Sequence, residues 1–286
     1  MFRKAGLGLF LLVIGFAAAA QNLDSLTFVK AKWEKRRIAS RVKLYQHHFL
    51  DTSLFAANEH IAYVEVKRNK GVFAVAAEPQ TLVTTSAFGL RENALVALNG
   101  NFFDVKNGGS VDYVRVDSKV VNENRLEKEG KRARHQQAAL LVKDRKLSLH
   151  KWDGSADWEK NLSGEDVMLN GPLLLWNGII EQLDTTSFTR MRHPRTCLGF
   201  KPNGNVVLLT VDGRHEQSAG MSLPELEKIM RWLGCESALN FDGGGSTTLW
   251  VKDFGRNGVV NYPSDNKKWD HEGERKVANV LIVRKK

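Results

Sequence analysis

Residues 205–250 read NVVLLTVDGRHEQSAGMSLPELEKIMRWLGCESALNFDGGGSTTLW, and the fold class turns on this stretch. Asn205 to Val211 form a β-type apolar run, bounded by the turn signals Asn203-Gly204 and Asp212-Gly213. A helix follows. Ser222 and Glu225 have the S-x-x-E spacing of a capping box, and Pro224 suits a first helical turn. Leu223, Leu226, Ile229, Met230 and Leu233 recur at helical spacing and make one apolar face. Glu225 and Glu227 lie early and Lys228 and Arg231 late, as the helix dipole favours, and Gly234 suits the C-terminal cap. Apolar residues resume before Asp242-Gly-Gly-Gly-Ser246 and again after it. The order is strand, glycine turn, loop, helix, strand, triple-glycine turn, strand.

Outward from this stretch, short β-type runs alternate with turns: Ile61–Val66, Ala94–Leu98, Ala138–Val142 and Val277–Val283. The chain is expected to be α+β, with a mixed, mostly antiparallel β-sheet system and packed helices in a single main domain over 61–286. Residues 21–60 are polar, basic and mixed, and read as an N-terminal lead-in that packs on that domain. Residues 1–20, MFRKAGLGLFLLVIGFAAAA, have the layout of a secretory signal peptide: Arg3 and Lys4, an apolar run from Leu7 to Phe16, then small residues. That core is short for a membrane span. The expectation is export to the periplasm or the extracellular space, with no stable membrane insertion after cleavage.

Loss of Arg3 and Lys4 lowers the formal charge from +10 to +8. The basic residues are spread out, and the denser runs, Lys30 to Lys43 and Lys128 to Arg134, lack interleaved stacking aromatics. They read as solvated surface rather than a nucleic-acid site, and the charge suits an anionic glycan or phosphate. Cys197 and Cys235 each lie in apolar context, where a buried free thiol is ordinary; export also permits a disulfide.

Three consecutive glycines let backbone amides point into one concavity, and they remove side chains that would block a ligand. Asp242 stands before Gly243, Gly244 and Gly245, and Ser246 to Thr248 stand after them; a hairpin turn with a flexible apex is the plainer alternative. Asp212 and Arg214 follow one apolar strand, and Arg195 in His193-Pro-Arg-Thr196 precedes another. Two arginines at strand ends beside a glycine nest suit a phosphate through forked, charge-assisted hydrogen bonds. Asn99-Gly-Asn-Phe-Phe-Asp104 brings the amides of Asn99 and Asn101 together with aromatic faces, a combination that suits a sugar. Asn170-Gly-Pro172 is a similar polar turn.

These pieces in this order, NGNFFD, NGP, HPRTCLGF, the whole of LLTVDGRHEQSAGMSLPELEKIMRWLGCESALNFDGGGSTTLW, NYPSD, ER and VANVLIV, resemble the phosphodiester glycosidase domain family. The resemblance covers about residues 61–286 and is most specific from His193 to Trp250. It implies hydrolysis of a sugar-1-phosphodiester, of the N-acetylglucosamine-1-phosphodiester kind, to a free sugar and a phosphomonoester. It implies that Asn99, Asn101, Arg195, Asp212, Arg214, Asp242, Gly243, Gly244 and Ser246 surround the site. Asn101 departs from the family motif, which commonly has a second glycine there. On this reading Arg195 and Arg214 with the Gly243–Gly245 nest hold the phosphate. Asp212 or Asp242 acts as base or nucleophile, with Asp104 a third candidate carboxylate. Asn170, Thr196 and Arg275 complete the expected substrate contacts.

No cofactor is required for such chemistry, though carboxylate oxygens also suit calcium or magnesium. Two other classes use the same residues. One is a glycan-binding or exopolysaccharide-assembly protein without turnover. The other is a metal-dependent phosphodiesterase with Asp212 and Asp242 as ligands.

Overall fold

The computed structural model describes residues 23–69 and 72–285, so the leader expected over 1–20 lies outside the described residues. Three sheets make up the frame. The eight-stranded sheet runs β1 (Glu34–Ala39), β2 (Val42–Leu54), β3 (Ala57–Val66), β14 (Val206–Val211), β13 (Arg195–Phe200), β15 (Ser237–Asn240), β11 (Leu173–Trp176), β12 (Ile179–Ile180). The five-stranded sheet runs β7 (Lys119–Asn122), β6 (Val114–Val116), β10 (Asp166–Asn170), β8 (Ala138–Lys143), β9 (Lys146–Lys151). The four-stranded sheet runs β16 (Leu249–Val251), β5 (Ala94–Asn99), β17 (Asn279–Arg284), β4 (Val72–Ala77). The pairings within all three are antiparallel. The strands expected from residue pattern are β3, β5, β8, β14 and β17.

Central strands are buried on both faces, which explains their unbroken apolar runs. Successive side chains of a strand point to opposite faces. In β14, Val206 and Leu208 enter the core shared by the three sheets, while Val207, Leu209 and Val211 face a helical layer. In β17, Leu281 and Val283 take the shared core and Val280 and Ile282 the outer one. In β8, Leu140 and Val142 point inward and Ala139 and Leu141 pack on Trp158 outside.

The helical layer is α1 (23–30), α2 (Thr85–Arg91), α3 (Ser187–Arg190) and α4 (Leu223–Trp232). Helix α4 has its capping box: Ser222 Oγ accepts from the Glu225 amide at 3.4 Å, and Glu225 Oε2 accepts from the Ser222 amide at 2.9 Å. Leu223, Leu226, Ile229 and Met230 bury against the eight-stranded sheet. Gly234 takes φ +82°, the left-handed cap conformation.

The segment 21–60 is more than a lead-in laid on the domain. Its described part supplies β1, β2 and the start of β3, the strand whose residues Ile61–Val66 pair with β14. Phe28 of α1 and Phe49 of β2 also enter the helix-side core. Cys197 and Cys235 are free and buried, and burial pushes the Cys235 thiol up to about 12.

The triple-glycine segment is not a hairpin apex. It leaves β15 in the eight-stranded sheet and enters β16 in the four-stranded sheet. It therefore crosses between layers, where polar ends of β5, β10, β13, β15 and β17 meet.

Candidate functional site

The glycines clear space for protein groups as well as for a ligand. A Cβ on Gly243 would stand 2.6 Å from the Pro194 carbonyl oxygen. One on Gly244, at φ +62°, would stand 2.9 Å from Arg214 Nη2, and one on Gly245 would stand 2.6 Å from Arg275 Nη2. Two guanidinium groups thus lie directly over the loop. Most of its amides are already spent: Gly243 donates to Asp242 Oδ1 and Gly244 to the Pro194 carbonyl. Ser246 donates to the Gly243 carbonyl and Thr247 to that of Gly244. Among the described residues the Gly245 amide finds no acceptor, so the expected nest narrows to one amide beneath two arginines. Arg214 is exposed, its side chain makes no hydrogen bond among the described residues, and its φ is +63°. A non-glycine residue held there is strained, a condition that clusters at functional sites. Arg275 donates through Nε and Nη2 to Asp265 Oδ1 at 2.9 and 2.5 Å.

Asparagines tie this loop to the other layers. Buried Asn99 donates to the Asp242 carbonyl at 2.7 Å; its Oδ1 accepts from Thr196 Oγ1 at 2.7 Å and the Thr248 amide at 3.0 Å. Asn101 Oδ1 accepts from Ser110 Oγ at 2.8 Å and Asn279 Nδ2 at 2.6 Å. Asn240 Nδ2 donates to the Gly171 carbonyl at 3.0 Å, beside Asn170. Asn99 and Thr196 thus act as cross-sheet joints.

Beyond these joints lies a set of buried polar atoms without a protein partner: Asn101 Nδ2, both amide atoms of Asn170, Asn240 Oδ1, Ser246 Oγ, Thr247 Oγ1 and Thr248 Oγ1. Buried polar groups in folded proteins are nearly always paired, so such a concentration marks a surface built for polar ligand or solvent.

Asp242 is half-buried; Oδ1 takes the Gly243 amide and Oδ2 accepts no hydrogen bond among the described residues. Burial pushes its carboxyl up to about 6, opposed by the nearby Ser246 hydroxyl, the Gly243 amide and the Arg275 charge, and reinforced by Asp112. Asp112 is fully buried and accepts from His135 Nδ1 at 2.8 and 3.0 Å and from Gln136 Nε2 at 3.0 Å. Burial alone would lower the His135 pKa. The Asp112 hydrogen bond and charge, with Glu127 and Asp242, outweigh burial and raise it. Asp242 thus titrates near 6, and its charge is one of the influences that raise His135; perturbed groups of this kind cluster at functional sites.

The remaining predicted residues make hydrogen bonds of their own within the protein. Asp212 is buried, with Oδ2 at 2.7 Å from His60 Nδ1 and Oδ1 accepting from Asn261 Nδ2 at 2.8 Å and the Tyr262 amide at 3.0 Å. Both of its oxygens have partners, and they brace the loop that carries Arg214. Asp104 organises its own loop, accepting from the amides of Lys106 and Asn107, from Asn107 Nδ2 and from Arg125 Nη1. Those bonds, the Asn107 side chain foremost, hold it well below the usual carboxylate range. Arg195 shares a strand face with Cys197 and so points into the helix-side layer. It donates to the carbonyls of Met221, Phe188 and Met191 at 2.8, 2.6 and 3.0 Å. Burial and the Arg214 charge lower it to about 10. The arginines are therefore divided: Arg214 and Arg275 face the loop, and Arg195 donates to backbone carbonyls of the helix-side layer.

Sequence reasoning passed over Asp112, His135 and Glu59. His135 directly follows the basic run Lys128 to Arg134 read as solvated surface, and only loop packing brings it to Asp112. Glu59 is buried, bound by Arg192 Nη1 at 3.1 Å and the Gly220 amide at 3.0 Å, and pins the 212–220 loop from beneath. Among the described residues no group of three or more His, Cys, Asp or Glu side chains is placed to hold a metal ion.

The phosphodiester glycosidase family matches this chain over residues 92–284, more than half of its 286 residues. The N-acetylglucosamine-1-phosphodiester alpha-N-acetylglucosaminidase of Bos taurus is 39% identical over 90 residues, 30% of this chain and 16% of that one. The SPbeta prophage-derived uncharacterized protein YomE of Bacillus subtilis is 35% identical over 71 residues, 25% of this chain and 11% of that one. The matched stretches thus span a small part of these relatives' own length. The catalytic domain of the zebrafish N-acetylglucosamine-1-phosphodiester alpha-N-acetylglucosaminidase superposes with a TM-score of 0.67 at 20% identity, covering 89% of this chain and 88% of that one. That likeness is one of fold.

Proposed function

The chain belongs to the phosphodiester glycosidase family, and from that premise we propose that it is an exported hydrolase that cleaves a sugar-1-phosphodiester to a free sugar and a phosphomonoester. The observation that carries the reading is Asp242: a carboxyl at about 6 with one open oxygen, on a loop roofed by two guanidinium groups. Arg214 and Arg275 hold the phosphate, with the Gly245 amide beneath. Their charge stabilises the phosphate as the bond from the anomeric carbon to the phosphate oxygen breaks and its electron pair passes to that oxygen. Ionised Asp242 serves the anomeric carbon, either by taking a proton from attacking water or by bonding to the carbon before water replaces it. Asp212 and Asp104 position loops in this mechanism, and Arg195 ties the 188–191 and 221 backbone together behind the site. No cofactor enters. Export rests on the leader pattern of residues 1–20.

The test is hydrolysis of an N-acetylglucosamine-1-(methyl phosphate) diester in ¹⁸O water, with and without a chelator. The expected result is ¹⁸O in the released sugar and a rate insensitive to chelation. Label in the phosphate, or loss of the rate on chelation, would instead support a metal-dependent phosphodiesterase. Binding without any product would support a glycan-binding protein.

A further inference from the structure

Residues 30–43, KAKWEKRRIASRVK, carry seven cations and one carboxylate, Glu34. Among the described residues none of these cations stands in a salt bridge, whereas arginines elsewhere in the chain, such as Arg91, Arg132 and Arg284, are paired. The β1–β2 hairpin sorts the charges by face. Residues opposite one another in an antiparallel pair share a face of the sheet, and Lys35 stands opposite Tyr45 and Arg37 opposite Lys43. Tyr45 stacks on Tyr63 at 4.6 Å and 8° and packs on the helix-side core. Lys35, Arg37 and Lys43 therefore project, exposed, on the helix side. Glu34 and Arg36 alternate to the other face, where Arg36 Nη2 donates to the Asp253 carbonyl at 3.0 Å.

Helix α1 lies on that same side. Its buried Phe28 meets Trp33 at 5.3 Å, and Trp33 meets Tyr63 at 5.1 Å, so a line of rings runs from the helix to Tyr45. With Phe28 turned inward, Leu23, Leu26 and Val29 are left 65%, 44% and 64% exposed, and exposed Lys30 follows them. A single exposed leucine is ordinary. Three apolar side chains on one ridge, joined through half-buried Trp33 and Tyr45 to three unpaired cations, make a surface with two demands: negative charge, and an apolar layer beneath it. A soluble polyanion meets only the first and an apolar protein groove only the second. An anionic bilayer meets both, because its phosphates attract basic side chains while its acyl boundary takes apolar ones. Tryptophan and tyrosine favour that boundary.

We propose that α1 and the β1–β2 hairpin form a docking face for an anionic lipid surface. Leu23, Leu26 and Val29 enter the headgroup boundary, and Lys35, Arg37 and Lys43 lie against lipid phosphates. The contact is adsorption; among the described residues no helix is long and apolar enough to cross a membrane. The assignment is independent of the reaction proposed above.

Cosedimentation with vesicles tests it, using the chain without residues 1–20, which retains every described residue. Vesicles of phosphatidylcholine with about one-quarter phosphatidylglycerol should bind it, and pure phosphatidylcholine should bind it roughly tenfold more weakly or less. Added salt should weaken the binding by screening. Joint replacement of Lys35→Glu, Arg37→Glu and Lys43→Glu should weaken it about a hundredfold. Lys119→Glu, Lys128→Glu and Lys131→Glu together make an equal change of net charge elsewhere on the surface, and should weaken it far less. Leu23→Ser with Val29→Ser changes no charge and should weaken it about tenfold. Thermal unfolding matched to that of the wild type checks that each variant is folded. Equal binding to neutral vesicles, or equal losses in the two charge variants, overturns the assignment. So does full binding by the Leu23 and Val29 variant, which would mark a soluble polyanion as the partner.

Discussion

At the scale of single residues, two protonation states matter in sequence. Asp242 titrates near 6, so near neutrality its carboxylate is ionised, and the Asp112 hydrogen bond and charge hold the His135 pKa above its ordinary value. Both roles considered for Asp242 need the ionised form. The rate at subsaturating substrate should therefore climb as pH rises through about 6, and Asp242→Asn should lose at least a hundredfold while removing that limb. A pH–rate profile of wild type and variant checks this, and an unshifted limb in the variant would assign the titration to another group. Gly244 makes the second residue-scale case. Alanine there pays the left-handed backbone cost of about 1 kcal/mol and presses on Arg214 Nη2. Gly244→Ala should lower stability by that order and weaken phosphate binding several-fold, as denaturant melts and titration calorimetry would show.

At the scale of elements, α4 was legible because its signals are local: cap, apolar face and terminal glycine all lie within the helix itself. The capping box also has a tertiary duty. Glu225 Oε1 accepts from Arg192 Nη2 at 2.5 Å, and Arg192 in turn holds Glu59 under the 212–220 loop. Ser222→Ala should cost about 1 kcal/mol, as cap removals usually do. Because the cap is joined to that loop, urea melts should show the stability loss together with a measurable rise in KM. A loss of stability with KM unchanged would mean that α4 is mechanically separate from Arg214. The triple-glycine element was half legible. Its backbone freedom was evident from composition, but its neighbours were not, since Pro194, Arg214 and Arg275 reach it from distant segments.

At the scale of the whole molecule, burial of titratable groups couples folding to pH. Burial, the largest influence on Glu59, pushes it from 4.5 to about 8 against the Arg192 charge, and Asp242 rises from 3.8 to about 6. A carboxyl whose folded pKa exceeds its unfolded value binds its proton more tightly when folded. The resulting stability is fully present below the unfolded value and is lost as pH rises through the folded one. Thermal stability should accordingly decline between about pH 5 and 8, and Glu59→Gln should flatten that decline; a slope unchanged in the variant would show that other groups carry it.

The apolar runs of β3, β5, β8, β14 and β17 and the capping of α4 were determined by the sequence alone, because strand and helix signals act over a few residues. So, through ordered motifs, was membership of the family. Tertiary structure decided what each polar residue does. Strand alternation turned Arg195 toward the helix layer and Thr196 toward Asn99. The passage of residues 241–248 from one sheet to another placed the Asp242 carbonyl against the Asn99 amide and its carboxyl in the field of Arg275. Those meetings join segments far apart in the chain, and only the packing of three sheets around one core brings them within hydrogen-bond and Coulomb range.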